Sequence, residues 1–336
     1  MKAVQAKEFG SLEGLAPVEV PEPAGGPGQV VVRVRAAALN HRDLRIALTG
    51  GFPPPFTLGA DAAGELVSGD CPRARVGEAV VVNPGLHWGD DPRAHGPGFR
   101  ILGGPGDGAF AEYAQVPAEN VYPMPPRLGW AEAAAFPLAA LTAYRALVTR
   151  AEVRPGETVL ILGAGSGVST FNVQLARWLG ARVLVTSSEN AKLERARALG
   201  ADAGINYRET DWLEEVRRLT DGRGPEVIVD SVGAAEWSRT LQAIRTGGRI
   251  VFFGSTTGRR GETEFSLFLQ KQVDIRGTYM GTPAEFEAVL ALVRRGVLRP
   301  IVDRVFPLAE APAAFAYLKE GRQFGKVVLD VAMEGQ

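Results

Sequence analysis

Apolar residues in the first 120 positions fall in short runs separated by Gly and Pro: residues 2–6, 29–38, 64–67, 78–82 and 111–116. Runs of that length with turn residues between them predict a compact, mostly antiparallel β domain. From Trp130 the pattern changes. Residues 130–136 and 138–149 carry helical periodicity, and a regular alternation follows, with strands at 158–162, 182–186, 203–206, 227–231, 249–253 and 273–277. Between them, helices reach to residue 179 and span 191–199, 212–220 and 235–244. This alternation predicts right-handed crossovers and a parallel, doubly wound α/β sheet. A helix at 283–295 leads back to strand-like runs at 301–306 and 326–331, with a helix at 311–319 between them. The strand-rich ends are therefore expected to join. They give one domain from residues 1–124 with 296–336 and a second, 125–295, inserted into it, with the cleft between them as the expected active site.

A length of 336 residues agrees with two domains. Lys+Arg 37 against Asp+Glu 38 leave a net charge of -1, which supplies no attraction for nucleic acid or an anionic membrane. Cys71 is the only cysteine, which excludes an intrachain disulfide and a thiolate metal cluster and fits a reducing, cytoplasmic setting. The opening MKAVQAKEFG has no apolar run of signal-peptide length. Nor does any stretch reach the ~20 apolar residues of a membrane span, so the chain reads as a soluble protein.

Between the strand at 158–162 and the helix after it lies Gly163-Ala-Gly165-Ser166-Gly167-Val168. Glycines there allow a tight turn and close backbone approach, and the helix start offers free N–H groups with a partial positive charge. The arrangement predicts dinucleotide binding through Gly163, Gly165, Ser166, Gly167 and Val168, although Val168 stands where the strict G-x-G-x-x-G pattern has its third glycine. The second strand ends in Thr186-Ser187-Ser188-Glu189, with Lys192 one turn on. Hydroxyls where an NAD enzyme places a carboxylate predict NADP(H), with Ser187, Ser188 and Lys192 at the 2′-phosphate. Glu189 keeps the alternative open, since a shift of two positions makes it the NAD-type acid. The preferred reading caps the next helix with Ser188 and sets Glu189 in its first turn.

With these residues on the page, the chain resembles the medium-chain dehydrogenase/reductase superfamily, in its zinc-free quinone-oxidoreductase-like branch. The resemblance spans nearly the whole length. It rests on Ala37-Ala-Leu-Asn40-His-Arg-Asp43, Leu58-Gly-Ala-Asp61-Ala-Ala-Gly64, Gly108-Ala-Phe-Ala-Glu-Tyr113, Leu141-Thr-Ala-Tyr144, the glycine turn, Asp230-Ser-Val-Gly233, Phe253-Gly-Ser255 and Gly325-Lys-Val-Val-Leu329. It implies a GroES-like β domain joined to a Rossmann domain. Zinc-dependent members carry a catalytic cysteine, a Gly-His-Glu motif and a later cysteine or acid, and many add a four-cysteine lobe. The corresponding positions here are Asn40, Ala60-Asp61 and a residue near Leu138, and the lobe is replaced by residues 83–108, which hold no cysteine. Among candidate ligands only Asp61 survives, too few for a tetrahedral site. His41, His87 and His95 form no pair at helical or strand spacing, so no metal is expected.

By the same resemblance Asn40 faces nicotinamide and substrate, Thr142 lies near the nicotinamide amide, and Tyr207 stands beside the 2′-phosphate. Ser231, Val232, Phe253, Gly254 and Ser255 line the cofactor at strand C-termini, and Lys326 completes the cofactor set. Arg42, Asp43, Trp88, Tyr144 and Tyr279 are candidates for the substrate pocket, with Asn40, Asp43 and Tyr144 as the catalytic set. No general acid stands out. Quinones and conjugated enones accept hydride with little need of one, so the expected function is NADPH-dependent reduction of such an acceptor without zinc. A zinc-independent alcohol dehydrogenase or aldehyde reductase remains an alternative, as does a non-catalytic NADP(H)-binding protein with a structural or sensing role. An apolar last strand at 273–279 would leave an open sheet edge, from which a homodimer is expected.

Overall fold

The structure is a computed structural model that describes residues 1–333. The chain divides into two compact units, one of Met1–Leu141, Gly281–Arg295 and Pro300–Gln336, the other of Thr142–Met280 with Gly296–Arg299. The division lies inside the helix Pro137–Tyr144 rather than at residues 124/125. Periodicity marks the helix Trp130–Ala135 but not the sheet it covers, and that helix packs against the strands Gln29–Ala38 and Asp61–Ser68 of the first unit.

In the first unit the ten-residue strand Gln29–Ala38 is the hub of a seven-stranded sheet. It pairs antiparallel with Asp61–Ser68, with Tyr113–Pro117 and with Lys326–Asp330. Two irregularities in its register with Asp61–Ser68, between Val31 and Val32 and between Val34 and Ala36, bend the strand so that it serves several neighbours. Val30, Val32, Val34, Leu66, Val80, Phe110 and Phe315 share the core. At the far edge of this sheet Val302–Pro307 lies parallel to Lys326–Asp330. Leu15–Glu19, Lys2–Ala6 and Phe56–Thr57 form a smaller sheet. The strand expected at 64–67 begins three residues earlier, at a buried Asp61 whose polarity hides it from an apolar pattern.

The second unit is a six-stranded parallel sheet in the order Ala203–Asn206, Arg182–Ser187, Thr158–Ile161, Val227–Asp230, Arg249–Phe252, Asp274–Gly277. Strand order reverses beside Thr158–Ile161, and ligands of such sheets bind at the strand C-termini next to that switch. The fold class is thus the expected GroES-like β unit with a Rossmann unit. The helix expected over 138–149 runs as α-helix only to Tyr144 and continues as a π-helix, Arg145–Arg150, where the Ala151 N–H reaches the Ala146 carbonyl at 2.8 Å. Periodicity does not foresee the short helices His41–Thr49 and Phe265–Lys271.

The close approach at Gly64 gives a direct test of this packing. A Cβ there would stand 2.0 Å from the Arg33 carbonyl oxygen of the neighbouring strand. Gly64→Ala is expected to lower the unfolding free energy by about 1–3 kcal/mol or more, read as an earlier midpoint in urea denaturation.

Candidate active site

The hub strand ends at Ala38, which pairs with Asp61 on one side and Val328 on the other. That register brings Asn40, just past the strand, together with Asp61 and Lys326, each the first residue of its own strand. All three are buried, with exposures of 8%, 0% and 3%. Lys326 Nζ donates to Asn40 Oδ1 at 2.6 Å and to Asp61 Oδ2 at 2.9 Å. Asn40 Nδ2 donates to the same Asp61 oxygen at 2.9 Å and to the Ala38 carbonyl at 3.3 Å. The other Asp61 oxygen accepts the Leu138 N–H at 2.8 Å. A buried ion pair holds only as a hydrogen-bonded unit, and here every oxygen of the pair has a donor. Both amide hydrogens of Asn40 have acceptors inside this cluster, so the side chain expected to face nicotinamide and substrate has its donors engaged by its neighbours.

The donor set does not suit zinc. Zinc takes three or four Cys, His or carboxylate ligands. Asn40, Asp61 and the Leu138 region do converge, but on an ammonium group, which repels a cation. Among the described residues no three His, Cys, Asp or Glu side chains group to hold a metal. His95 stacks on Phe99 with ring centres 4.6 Å apart, and His87 faces Glu119 at 3.9 Å. The residues present do not fit a zinc ion.

Asp43 anchors the cluster from the first turn of the helix His41–Thr49. Its carboxylate accepts the Asn40 N–H at 2.9 Å and a guanidinium hydrogen of Arg42 at 3.1 Å. Burial raises its carboxyl above the usual range, opposed by the Arg42 charge. Arg42 also donates to the carbonyls of Leu102 and Gly104, at 3.0 and 3.3 Å, and so ties that loop to the helix start. His41 is exposed to solvent, yet the protein mass around it, followed by the charge of Lys326, holds its imidazole below the usual range.

In the second unit the glycine turn is fixed to the second strand. Gly163 has φ 78, and its N–H donates to Thr186 Oγ1 at 3.2 Å while Ala164 N–H reaches the Thr186 carbonyl at 2.8 Å. Ser166 caps the helix Gly167–Trp178 by accepting the Ser169 N–H at 3.1 Å. The remaining first-turn N–H groups have no partner within the helix, and they carry the positive end of its dipole. No atom lies within 4 Å of the point where a Cβ of Gly163 would stand, so backbone can approach a phosphate closely. These features fit a dinucleotide pyrophosphate. Across the switch, buried Asp230 accepts the N–H groups of Val232 and Gly233 at 2.6 and 3.1 Å, and burial pushes its carboxyl up. Thr256 and Thr257 close on the carbonyls of Ser231 and Val232, and Gly254 backs onto Ser231. Ser231 and Val232 therefore lie against the segment from Phe253 to Thr257 at the sheet's C-terminal edge, and the five expected residues share one rim.

The second-strand end corrects one expectation. Glu189, not Ser188, stands at the N-cap of the helix Asn190–Ala198, and it makes no side-chain cap bond. Its N–H donates to Ser187 Oγ at 3.2 Å, and its carboxylate pairs with Lys192 at 2.8 Å. Asn206 links to Asn190 and Glu209, both at 2.9 Å, and half-exposed Tyr207 follows it. The lysine and hydroxyl expected to meet a 2′-phosphate are thus in direct contact with the acid expected to meet a ribose.

The candidates fall into two sets. Asn40, Arg42, Asp43 and Lys326 gather in the first unit with Asp61, whose role as the lysine's partner sequence reasoning missed; the signal was an acid followed directly by the small residues Ala62-Ala63-Gly64. The turn residues, Ser187, Ser188, Lys192, Tyr207 and the rim belong to the second unit. Thr142 and Tyr144 lie on the second unit's share of the helix Pro137–Tyr144, Thr142 buried. Trp88 is buried in the first unit, its indole N–H donating to the Asp91 carbonyl at 2.9 Å, while Tyr279 is exposed beyond the last strand of the second. Among the described residues no helix is long and apolar enough to cross a membrane.

Residues 26–126 match the family described as alcohol dehydrogenase GroES-like domain, and residues 167–295 match zinc-binding dehydrogenase. A zinc-type alcohol dehydrogenase-like protein of Schizosaccharomyces pombe is 34% identical over 98% of this chain and 99% of its own length. A crystal structure of an NAD-dependent alcohol dehydrogenase superposes with TM-score 0.94 at 40% identity, covering 99% of this chain and 100% of that one. A 2-octenoyl-CoA carboxylase reductase in complex with NADP and 2-octenoyl-CoA superposes with TM-score 0.90 at 28% identity, covering 99% and 88%. Nicotinamide cofactor binding is expected throughout this group, and the chain belongs to the medium-chain dehydrogenase/reductase superfamily of oxidoreductases.

Proposed function

We propose that this chain catalyses NADPH-dependent hydride transfer to a quinone or an α,β-unsaturated carbonyl, without a catalytic metal. The observation that carries the reading is the Lys326 ammonium held between Asn40 and Asp61 where zinc-dependent relatives keep their ligands. A bound nicotinamide supplies the hydride. The chain's own residues supply the rest: Gly163–Val168 hold the pyrophosphate, the rim from Ser231 to Ser255 seats the dinucleotide, and the Asn40 cluster presents positive charge to the acceptor. An alcohol must lose its hydroxyl proton as hydride leaves, which is costly near neutral pH without zinc or a tuned base. Conjugated acceptors avoid that cost. The relative with 2-octenoyl-CoA bound supports an acceptor of this class. The experiment is a panel of quinones, enones, aldehydes and simple alcohols against both cofactors, before and after chelation. NADPH oxidation with conjugated acceptors, unaffected by chelator, is the expected result. Efficient turnover of a simple alcohol with NAD⁺, lost on chelation, overturns it.

One observation favours a second reading of the cofactor. The Glu189–Lys192 pair neutralises the lysine that a 2′-phosphate needs, and a structural relative is described as NAD-dependent. In the NADP(H) reading the phosphate displaces Glu189 and takes Lys192, Ser187 and Tyr207. Lys192→Ala is then expected to weaken NADPH binding about ten- to a hundredfold, the loss of one charge-assisted contact, and to leave NADH binding little changed. Titration of both cofactors reads it. Tighter NADH binding by the wild type, abolished in Glu189→Ala, selects the NAD reading.

We also propose a homodimer through the edge strand Asp274–Gly277. The strand pairs on one side only, and Ile275, Phe265 and Leu269 are exposed along that margin. Light scattering at micromolar concentration is expected to give twice the chain mass, and Ile275→Asp to shift it toward the monomer.

A further inference from the structure

Resting on the reductive reading above, we propose that Lys326 is the catalytic electrophile: its remaining N–H donates to the acceptor's oxygen and carries the negative charge that hydride addition creates there. The cluster narrows the choice. Asn40 has two amide hydrogens, and Asp61 and the Ala38 carbonyl take both. Asp43 and Asp61 are acceptors, already filled by Asn40, Arg42, Leu138 and Lys326. An ammonium has three hydrogens. Asn40 Oδ1 and Asp61 Oδ2 take two, and no acceptor among the described residues takes the third. Arg42 also keeps hydrogens beyond its three bonds, but those bonds tie it to Asp43 and to the loop carbonyls of Leu102 and Gly104; Lys326 is the charged donor bonded to Asn40 and Asp61 themselves that has one to spare. It is buried to 3% exposure, so little water competes for that hydrogen. A charged donor fixed in a water-poor site stabilises an oxyanion far more than the same group does in water, because its orientation is set before the charge appears.

The atoms balance without a metal. Hydride, with its electron pair, adds to the β-carbon of the conjugated carbonyl. The C=C π pair moves to form an enolate, whose oxygen accepts the hydrogen bond from Lys326 Nζ. A proton from solvent then adds at the α-carbon, restoring the C=O and leaving one acceptor reduced by two electrons per NADPH oxidised. Lys326 keeps its proton throughout. Asn40 and Asp61 are positioning residues, which aim the ammonium and keep it charged.

The test uses the full chain and two readouts. Lys326→Met alone leaves the Asp61 charge buried and unpaired, which endangers folding. The double variant Lys326→Met with Asp61→Asn removes both charges together, and Lys326→Arg keeps the positive one. Turnover with an enone is expected to fall on the order of a hundred- to a thousandfold in the double variant, the loss typical of a missing oxyanion donor. NADPH binding is expected to change less than threefold, and Lys326→Arg to retain part of the rate. The second readout needs no turnover. Para-nitrophenol bound to the enzyme with NADP⁺ is titrated by its absorbance, and its apparent pKa is expected to lie below the free value in the wild type and to return to it in the double variant. A folded double variant that keeps its rate within threefold, or keeps the lowered nitrophenol pKa, overturns the assignment to Lys326. A wild type that reduces no conjugated acceptor overturns the functional reading instead, and the nitrophenol titration still tests Lys326 by itself.

Discussion

The buried pairing of Lys326 with Asp61 is the contact on which the rest of the first unit depends. Its two partners are 265 residues apart in sequence, and they meet because both strands flank Ala38 in one sheet. Taking a carboxylate and an ammonium out of water costs several kcal/mol each, and their attraction offsets this only when the remaining lone pairs and hydrogens are also satisfied. Asn40 and the Leu138 N–H satisfy them. The same bonds therefore close the sheet around its C-terminal strand, orient the start of the helix His41–Thr49 and gather the unit's polar groups at one point. A change at any member exposes the others to an unpaired charge.

That constraint also sets what the cluster offers chemically. Asn40 and Asp61 converge on the Lys326 ammonium, a fixed hydrogen-bond donor. In the loop of residues 83–108, Trp88, His95 and Phe99 pack as an aromatic group, with ring centres of Trp88 and Phe99 5.3 Å apart.

The second unit is shaped by a different rule, in which buried side chains hold the backbone of its loops in place. Asp230 makes the point. It sits fully buried and spends its carboxylate on the two N–H groups that follow it, which shapes the rim that Thr256 and Thr257 then close. At the second-strand end side chains meet instead: the ammonium of buried Lys192 pairs with the half-exposed carboxylate of Glu189.

The sequence by itself determined the fold class, the strand–helix alternation of the doubly wound sheet and the glycine turn after its first strand. These depend on local regularities, namely period, glycine placement and strand–helix alternation, which are written in consecutive residues. It also named Asn40 and Asp61 as residues to watch, because residue type is written in the chain. Tertiary structure decided what those residues do. Whether the amide of Asn40 is a free donor or an engaged one depends on where Asp61 lies, 21 residues away, and what its oxygen accepts depends on Lys326, 286 residues away; no local pattern carries those distances. The early start of the strand at Asp61 and the packing of the helix Trp130–Ala135 on the first unit's sheet are of the same kind. Each is set by a partner from elsewhere in the chain, and burial, hydrogen-bond satisfaction and charge pairing become defined only when the partners meet.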